Sequence, residues 1–264
     1  MSFWQQIKDQ FRTNDSSGDE QPSGPPCFWQ VDMHSHLLPG IDDGVQTPEQ
    51  ALLCLEQLQG WGIQKVITTP HVSRDYYPNT TETLLKGQDR LQNLVIEHNL
   101  PLTVEVAAEY MLDDFFPDLI ANNDLLSFGA ERYVLFETGF EANSLGLETV
   151  IFRLQTKGYT PVLAHPERYA YFHKHRDMLP RLREMGCLFQ LNWLSVTGLY
   201  GERVKKQARL MLEQKSIDFV GSDLHGPSLS GRFQGVFSAP DFALFAQQPL
   251  RNASLLTDVG WPVG

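Results

Sequence analysis

Two short motifs in this chain place pairs of metal-ligand side chains two residues apart. His34 and His36 are separated by Ser35 in HSH, and Asp223 and His225 are separated by one residue in DLH. Residues two apart in an extended strand point to the same side of it. A single histidine at a strand end is more often structural, but two such pairs favour a shared metal ion. The two motifs together therefore predict a metal site.

Further histidines and carboxylates follow other apolar runs. Glu109 in VAAEY and Glu137 in LFETG end such runs, and His71 in TTPHV and His165 in LAHPERY come after others. A buried carboxylate without a partner is costly, and a cation removes that cost. The proline after His165 favours an extended backbone at this histidine. Arg168 follows closely, and its planar guanidinium suits phosphate oxygens, with a surface salt bridge as the alternative.

Two acids follow the Pro39-Gly40 turn, shortly after the HSH motif. Acids in a turn are ordinarily solvated. Because this turn begins just after a candidate ligand, one acid can fold back toward the site. We expect Asp42 to be the ligand and Asp43 to support the site or cap the turn.

All of these residues follow predicted strands that alternate with predicted helices. The strands cover residues 29–36, 65–72, 102–110, 133–138, 160–166, 187–192 and 217–223, and the helices cover 47–62, 81–99, 145–158, 178–186 and 202–216. Such alternation predicts a parallel sheet. Seven mostly apolar strands predict a closed (β/α) barrel, with an open doubly wound sheet as the alternative. In a barrel the carboxyl ends of the strands meet at one face, which would bring the candidate ligands together.

Composition limits the classes of function. The net charge of −11 argues against nucleic acid as the main partner. The three cysteines form no disulfide framework. There is neither a long apolar run nor a signal peptide, so we expect a cytoplasmic protein without stable membrane insertion. Residues 1–26 read as a flexible N-terminal extension with a short helix that packs on the body or docks on a partner, and residues 27–264 as one barrel domain.

Motifs for a side-chain nucleophile or a nucleotide are missing from the sequence. It has no glycine-rich phosphate loop, no Gly-x-Ser-x-Gly elbow and no cysteine in a phosphatase-type loop. This favours a metal-activated water as the nucleophile. Imidazole and carboxylate ligands without thiolate fit manganese, iron, cobalt or zinc.

The motifs HSHLLPGIDDG, TPHV, AAEYML, ETGF, LAHPERY and SDLHG occur in this order. They resemble the polymerase and histidinol phosphatase (PHP) superfamily, and more closely its bacterial capsule-associated protein-tyrosine phosphatases, over about residues 30 to 235. The resemblance implies an α/β fold, a distorted (β/α)7 TIM-like barrel. It also implies three divalent metal ions, with Mn²⁺ favoured over iron, cobalt or zinc.

The resemblance assigns roles to individual residues. Its three ligand groups fall on His34, His36, Glu109 and Asp223; on Glu109, Glu137 and His165; and on Asp42, His71 and His225. The phosphate contacts fall on Arg168 and on Arg232 in LSGRF, where the spacing is loose. His225 and a metal-bound water are the two candidates for the general acid. The positive charge of three divalent ions exceeds the negative charge of four carboxylates. This pocket would therefore attract a phosphate although the whole chain is acidic.

The resemblance implies hydrolysis of phosphotyrosine by a metal-bridging hydroxide. The expected substrate is a phosphotyrosyl protein, the tyrosine-rich tail of a bacterial kinase for capsular or exopolysaccharide biosynthesis. Tyr76 and Tyr77 would lie on a rim loop, stacked on substrate or packed locally. Assembly as a homo-oligomer is left open.

Three other functions are alternatives. One is a phosphatase for histidinol phosphate or another small phosphomonoester, and a second is a non-catalytic metal-binding regulator of polysaccharide export. The third is an amidohydrolase-type barrel, which commonly has a lysine on strand four where this chain has Glu137.

Overall fold

The computed structural model describes residues 27–140 and 146–257. The predicted N-terminal extension, residues 1–26, lies outside the described residues, so the expectations of flexibility and of a docking helix stay predictions.

Short strands alternate with helices along the described chain. The strands are β1 (Val31–Asp32), β2 (Lys65–Thr68), β3 (His71–Val72), β4 (Thr103–Val106), β5 (Glu109–Met111), β6 (Tyr133–Glu137), β7 (Thr160–Leu163), β8 (Leu188–Asn192) and β9 (Phe219–Gly221). The helices are α1 (Pro48–Gly60), α2 (Thr81–Glu97), α3 (Phe116–Asn122), α4 (Leu147–Thr156), α5 (Ala170–Lys174), α6 (Met178–Glu184), α7 (Glu202–Glu213) and α8 (Ser230–Phe237). Helices α1, α2, α4, α6 and α7 lie within the predicted ranges, whereas α3, α5 and α8 were not predicted.

The strands form a parallel barrel. Their orders are β1-β2-β4 and β3-β5-β6-β7-β8-β9, and every pair is parallel. Strands β2 and β3 are one predicted strand interrupted at Pro70, which has no backbone N–H to donate. The pairing continues across this gap, because Glu109 N donates to Pro70 O at 3.0 Å.

Hydrogen bonds between the segments that directly follow the first and last strands close the ring, with a parallel bridge between Ser35 and Leu224. Asp223 N donates to His34 O at 2.7 Å, and His36 N donates to Leu224 O at 3.0 Å. The seven predicted strands therefore form a closed (β/α) barrel, and the open doubly wound alternative is wrong.

Local sequence explains where the first two helices begin. Thr47 caps α1 by accepting from Gln50 N, and Pro48 occupies the first turn. Thr80 caps α2 and exchanges bonds with Thr83 in a capping box. None of the helices in the described ranges is long and apolar enough to cross a membrane.

The amino-terminal end of the barrel is filled by residues from the C-terminal region. Leu255, in the 3₁₀ helix Asn252–Leu256, packs with Val31, Phe128 and Phe219 inside the barrel. The buried Asn252 amide donates to Val31 O at 2.8 Å and to Val220 O at 2.7 Å, and its oxygen accepts from Val220 N at 3.0 Å. This segment therefore seals the end opposite the carboxyl ends of the strands.

Candidate metal centre

The carboxyl ends of the strands bring the candidate ligands together. Four overlapping groups have ligand atoms within 4.8 Å of one another: His36, Asp43, His71 and His225; His34, His36 and Asp223; His34, Glu109 and His165; and His71, Glu109 and Glu137. Eight of the nine ligands expected from sequence belong to these groups, and Asp42 does not.

Glu109 lies at the centre of the cluster. It is fully buried, and its Oε2 lies 3.2 Å from His34 Nε2, 3.4 Å from His36 Nε2 and 3.2 Å from His71 Nδ1. Its Oε1 lies 3.1 Å from His165 Nε2. One carboxylate therefore contacts four imidazoles that come from three different strand ends.

Three of the histidines are oriented by hydrogen bonds from their outer ring nitrogens. His34 Nδ1 donates to Gln190 Oε1 at 2.8 Å, because an amide oxygen can only accept. His36 Nδ1 donates to a carboxylate oxygen at 2.8 Å, and His225 Nδ1 to Asp223 O at 2.9 Å. In the neutral ring each inner Nε2 then carries a lone pair directed at the cluster.

This donor set fits metal ions. The inner lone pairs of these imidazoles meet carboxylate oxygens, which is unfavourable unless a proton or a cation lies between them. The buried Glu109 oxygens and His165 Nδ1 have no hydrogen-bond partner in the described chain. Burial disfavours the charged form of His34, but Glu109 and Asp223 outweigh it and raise the pKa of His34 to about 9. A proton is thus attracted to the place where a metal would neutralise the carboxylates.

The two turn aspartates have the opposite positions to those expected. Asp42 Oδ2 accepts from His36 Nδ1 at 2.8 Å and from His71 N at 3.1 Å, so it lies behind the histidines. Burial would raise the pKa of Asp42, but the bond from His36 lowers it to about 2. Asp43 Oδ1 lies 3.5 Å from His71 Nε2 and 3.6 Å from His225 Nε2. Asp43, not Asp42, therefore faces the cluster.

Gly44 explains this arrangement of the turn. A Cβ at Gly44 would lie 2.3 Å from His36 O and 2.9 Å from Asp42 Oδ1. Only glycine allows the turn to pack so closely on His36. Gly44 N donates to Asp42 Oδ1 at 3.0 Å, which holds this carboxylate behind the ring.

Two of the candidate ligand residues have left-handed backbone conformations. His165 has φ 31° and ψ 53°, and Asp223 has φ 53°. The expected extended conformation before Pro166 is therefore wrong. His165 N donates to Gln190 Oε1 at 3.2 Å, and a 3₁₀ turn begins at Pro166, which together turn the imidazole inward. Non-glycine residues in this region cost about 1–3 kcal/mol each and cluster at functional sites.

Two polar residues of β8 support the cluster and are not among those expected from sequence. Gln190 Nε2 donates to Asn192 Oδ1 at 2.9 Å, and Asn192 Nδ2 donates to Asp223 Oδ2 at 2.6 Å. This chain of bonds links His34 to Asp223 and fixes both candidate ligands. The signal was present in CLFQLN, where two polar residues alternate within an apolar strand, as in HSH.

A cavity of about 420 Å³ opens above the cluster. Its lining includes six of the nine residues in the four groups, together with the side chains of Met111, Phe140, Arg168 and Tyr200. Arg168 Nη1 donates to Asp223 Oδ2 at 2.8 Å, and its guanidinium lies 4.7 Å from the Phe140 ring centre and 4.6 Å from that of Tyr200. The arginine is thus held at the cavity wall beside the cluster.

Tyr76 and Tyr77 lie on the cavity rim and behave differently. Backbone bonds between Ser73 and Tyr77 close the turn that carries them. Tyr77 stacks on His71 at 5.4 Å, whereas Tyr76 is 79% exposed. Tyr77 therefore packs locally, and Tyr76 is available to a ligand.

Arg232 does not join this arrangement. It lies in α8, is exposed, and is not among the residues that line the cavity.

Comparisons with known proteins agree with these features. The family model for capsular polysaccharide synthesis, CpsB/CapC, matches residues 30–232. Tyrosine-protein phosphatase YwqE of Bacillus subtilis is 31% identical over 195 residues, covering 74% of this chain and 77% of YwqE. Putative tyrosine-protein phosphatase CapC of Staphylococcus aureus is 30% identical over 197 residues, covering 74% of this chain and 76% of CapC.

The fold matches a solved structure as well. It comes from crystal structures of YwqE from Bacillus subtilis and CpsB from Streptococcus pneumoniae, described as unique metal-dependent tyrosine phosphatases. The match has a TM-score of 0.74 at 28% identity and covers 86% of this chain and 91% of the other. The resemblance to capsule-associated phosphatases is confirmed, and this chain belongs to the CpsB/CapC family of capsular polysaccharide synthesis.

Proposed function

We propose that this chain is a metal-dependent protein-tyrosine phosphatase. The observation that carries the proposal is the cluster of overlapping histidine and carboxylate groups at the base of a cavity with an aromatic wall. The relatives named as tyrosine-protein phosphatases support the same reaction.

The cluster would hold three divalent ions, with Mn²⁺ favoured. The ligands are those expected from sequence, with Asp43 in place of Asp42. Bound metals would supply an activated water and positive charge for the phosphate. Asp42, Gln190 and Asn192 keep the ligand side chains in place, which limits the reorganisation needed during reaction.

Arg168 would bind the phosphate. A guanidinium has five N–H donors, so the bond to Asp223 leaves others for phosphate oxygens. Packing between Phe140 and Tyr200 restricts the side chain before substrate arrives. A pre-positioned arginine can stabilise charge that develops on the transferred phosphoryl group.

The aromatic wall favours an aryl phosphate over a sugar phosphate. Phe140 and Tyr200 line one side of the cavity, and Tyr76 and Tyr77 line the rim. A phenyl ring packs well on such side chains. The leaving tyrosyl group has a conjugate-acid pKa of about 10 and needs little protonation.

His225 is a poor general acid in this arrangement. Its Nδ1 proton is committed to Asp223 O, and Nε2 would bind metal through its lone pair. We therefore propose that His225 acts as a ligand and that no protein side chain protonates the leaving group.

The substrate would be the tyrosine-rich tail of a bacterial tyrosine kinase. The family description, capsular polysaccharide synthesis, supports a kinase that acts in the same process. A flexible tail can reach a phosphate site at the base of an open cavity.

The test combines metal analysis with turnover of a phosphotyrosyl peptide in the wild type and in His34→Ala. We expect the wild type to bind metal and to hydrolyse the peptide faster than histidinol phosphate. His34→Ala should lose both metal and turnover. His98→Ala, at the end of α2, is the control and should keep both.

Two results would contradict the proposal. Metal-loaded wild type that releases no phosphate from any aryl phosphate would favour a regulatory role. Faster turnover of histidinol phosphate than of the peptide would favour a small-molecule phosphatase.

A further inference from the structure

A basic groove lies beside the proposed active site of this acidic protein. Its cationic lining residues are Arg168, Lys174, Arg176, Arg203, Lys206 and Arg209, and its volume is about 960 Å³. Among the 13 described residues that line it, Glu213 is the one acidic residue. The whole chain has 32 acidic residues against 21 lysines and arginines, so this concentration of positive charge is local.

Most of these cations have no carboxylate partner within the part of the chain that the structure describes. Arg168 pairs with Asp223, and Arg209 pairs with Glu213 at 2.8 Å. The other four are exposed and form no ion pair with any carboxylate in residues 27–140 or 146–257. Clustered like charges repel one another, and a bound anion would relieve this repulsion.

The groove adjoins the proposed active-site cavity. Arg168 and Tyr200 line both. From this shared wall the groove follows α7, where Arg203, Lys206 and Arg209 lie at spacings of three residues on neighbouring turns. A polypeptide whose phosphate is bound at the metal cluster would therefore pass the groove as it leaves the cavity.

We propose that the groove binds anionic side chains that flank the phosphotyrosine in the substrate polypeptide. This rests on the proposed phosphatase function and adds a specificity site to it. The anions are carboxylates or a second phosphotyrosine, because both satisfy the same exposed cations. Arg203 and Arg209 are separated by about 9 Å along the helix. About three residues of an extended peptide cover this distance, so acids close to the phosphotyrosine in sequence can reach the groove.

The test compares phosphotyrosyl peptides that differ only in their flanks. One carries three glutamates on the N-terminal side, one carries them on the C-terminal side, one carries a second phosphotyrosine, and a reference carries glutamines. The enzymes are wild type, Arg203→Gln/Lys206→Gln, and Lys86→Gln/Arg90→Gln. The last removes the same charge from α2, outside the groove. p-Nitrophenyl phosphate, which has no flanks, reports the basal reaction.

We expect wild type to prefer at least one anionic peptide over the glutamine peptide by about three- to tenfold in kcat/KM at low ionic strength. The preference should fall below about twofold in Arg203→Gln/Lys206→Gln and stay unchanged in the α2 variant. It should also fade at about 1 M salt, where the Debye length is about 3 Å. Turnover of p-nitrophenyl phosphate should be the same in all three proteins.

Several results would contradict the proposed binding of anionic side chains in the groove. They are an anionic preference that survives in Arg203→Gln/Lys206→Gln, one that falls equally in the α2 variant, and no preference in wild type. Binding to anionic phospholipid vesicles or to an anionic polysaccharide is measured with the same proteins. If Arg203→Gln/Lys206→Gln loses this binding but keeps the peptide preference, the groove belongs to a different partner.

The groove can be tested even if no peptide is hydrolysed, a result that would refute only the proposed phosphatase function. Fluorescence anisotropy then measures binding of the labelled anionic and glutamine peptides to the same three proteins. If only Arg203→Gln/Lys206→Gln binds the anionic peptide more weakly, the result supports binding of anionic side chains in the groove. Equal binding by all three proteins refutes it.

Discussion

The two ends of the barrel differ in how their buried polar groups are satisfied. At the amino-terminal end, the Asn252 side chain makes three hydrogen bonds to backbone groups of Val31 and Val220. At the carboxyl end, both oxygens of the buried Glu109 face imidazole nitrogens without a hydrogen bond. At one end the buried side chain is satisfied by the protein itself, whereas at the other end the donor set fits metal ions.

The backbone shows the same difference. His165 and Asp223, both at the carboxyl end, have left-handed conformations that cost free energy in non-glycine residues. We infer that the amino-terminal end contributes stability and that the carboxyl end is organised for metal binding. Substitutions at the two ends should therefore affect different measurements.

The largest effect is expected from Glu109→Gln, which keeps the size of the central side chain of the cluster and removes its charge. We expect metal affinity and phosphotyrosyl-peptide turnover each to fall by more than about 100-fold, because even residues that only support ligands contribute 10- to 100-fold. Glu105→Gln, on β4 of the same predicted strand, is the matched control. Glu105 pairs with Lys65, and its replacement should change neither quantity by more than about twofold.

Gln190→Met tests whether a residue that touches no metal is still needed at the carboxyl end. It removes the acceptor that holds His34 Nδ1 and keeps the side chain similar in size. Metal affinity, measured by competition with a chelator, should fall about 10- to 100-fold. Unchanged affinity would mean that packing alone orients His34.

Asn252→Ala tests the opposite end. It leaves buried backbone groups of Val31 and Val220 without partners, which should lower the free energy of unfolding by about 1–3 kcal/mol. Turnover per metal-loaded molecule should stay the same. Ser254→Ala, an exposed site on the same 3₁₀ helix, should change the unfolding free energy by less than about 0.5 kcal/mol. Turnover that falls with stability in Asn252→Ala would break the distinction between the two ends.

Tyr76→Ala should give the smallest effect. The exposed ring can pack on the substrate, so KM for a phosphotyrosyl peptide should rise about two- to fivefold with kcat unchanged. Tyr77→Ala should instead lower kcat, because Tyr77 stacks on His71. Identical kinetics in the two variants would contradict the separate roles of these tyrosines.

Much of this architecture could be predicted from sequence because parallel strands bring their carboxyl ends together. That rule places His34, Glu109 and Asp223 in one cluster although they are far apart in the chain. The rule does not describe turns. Asp42 and Asp43 exchanged their expected positions because the close approach of Gly44 to His36 sets the direction of the turn.

Other features depended on partners that are distant in sequence. Gln190 supports His34 from β8, and polar residues within that strand gave no indication of which atoms they would meet. The C-terminal segment that seals the barrel lies beyond the motifs, and Asn252 acts through backbone groups that any residue could supply. His165 was expected to be extended, but its bond to Gln190 outweighs the local preference before proline.

Titration of Mn²⁺ into protein from which a chelator has removed the metal tests the central claim most directly. Bound metal and phosphotyrosyl-peptide turnover are measured on the same samples. We predict no turnover without metal, a rise in proportion to metal bound, and saturation at three ions per chain. Full turnover in metal-free protein, or metal binding that leaves turnover at zero, would contradict a metal-dependent phosphatase at the carboxyl end of this barrel.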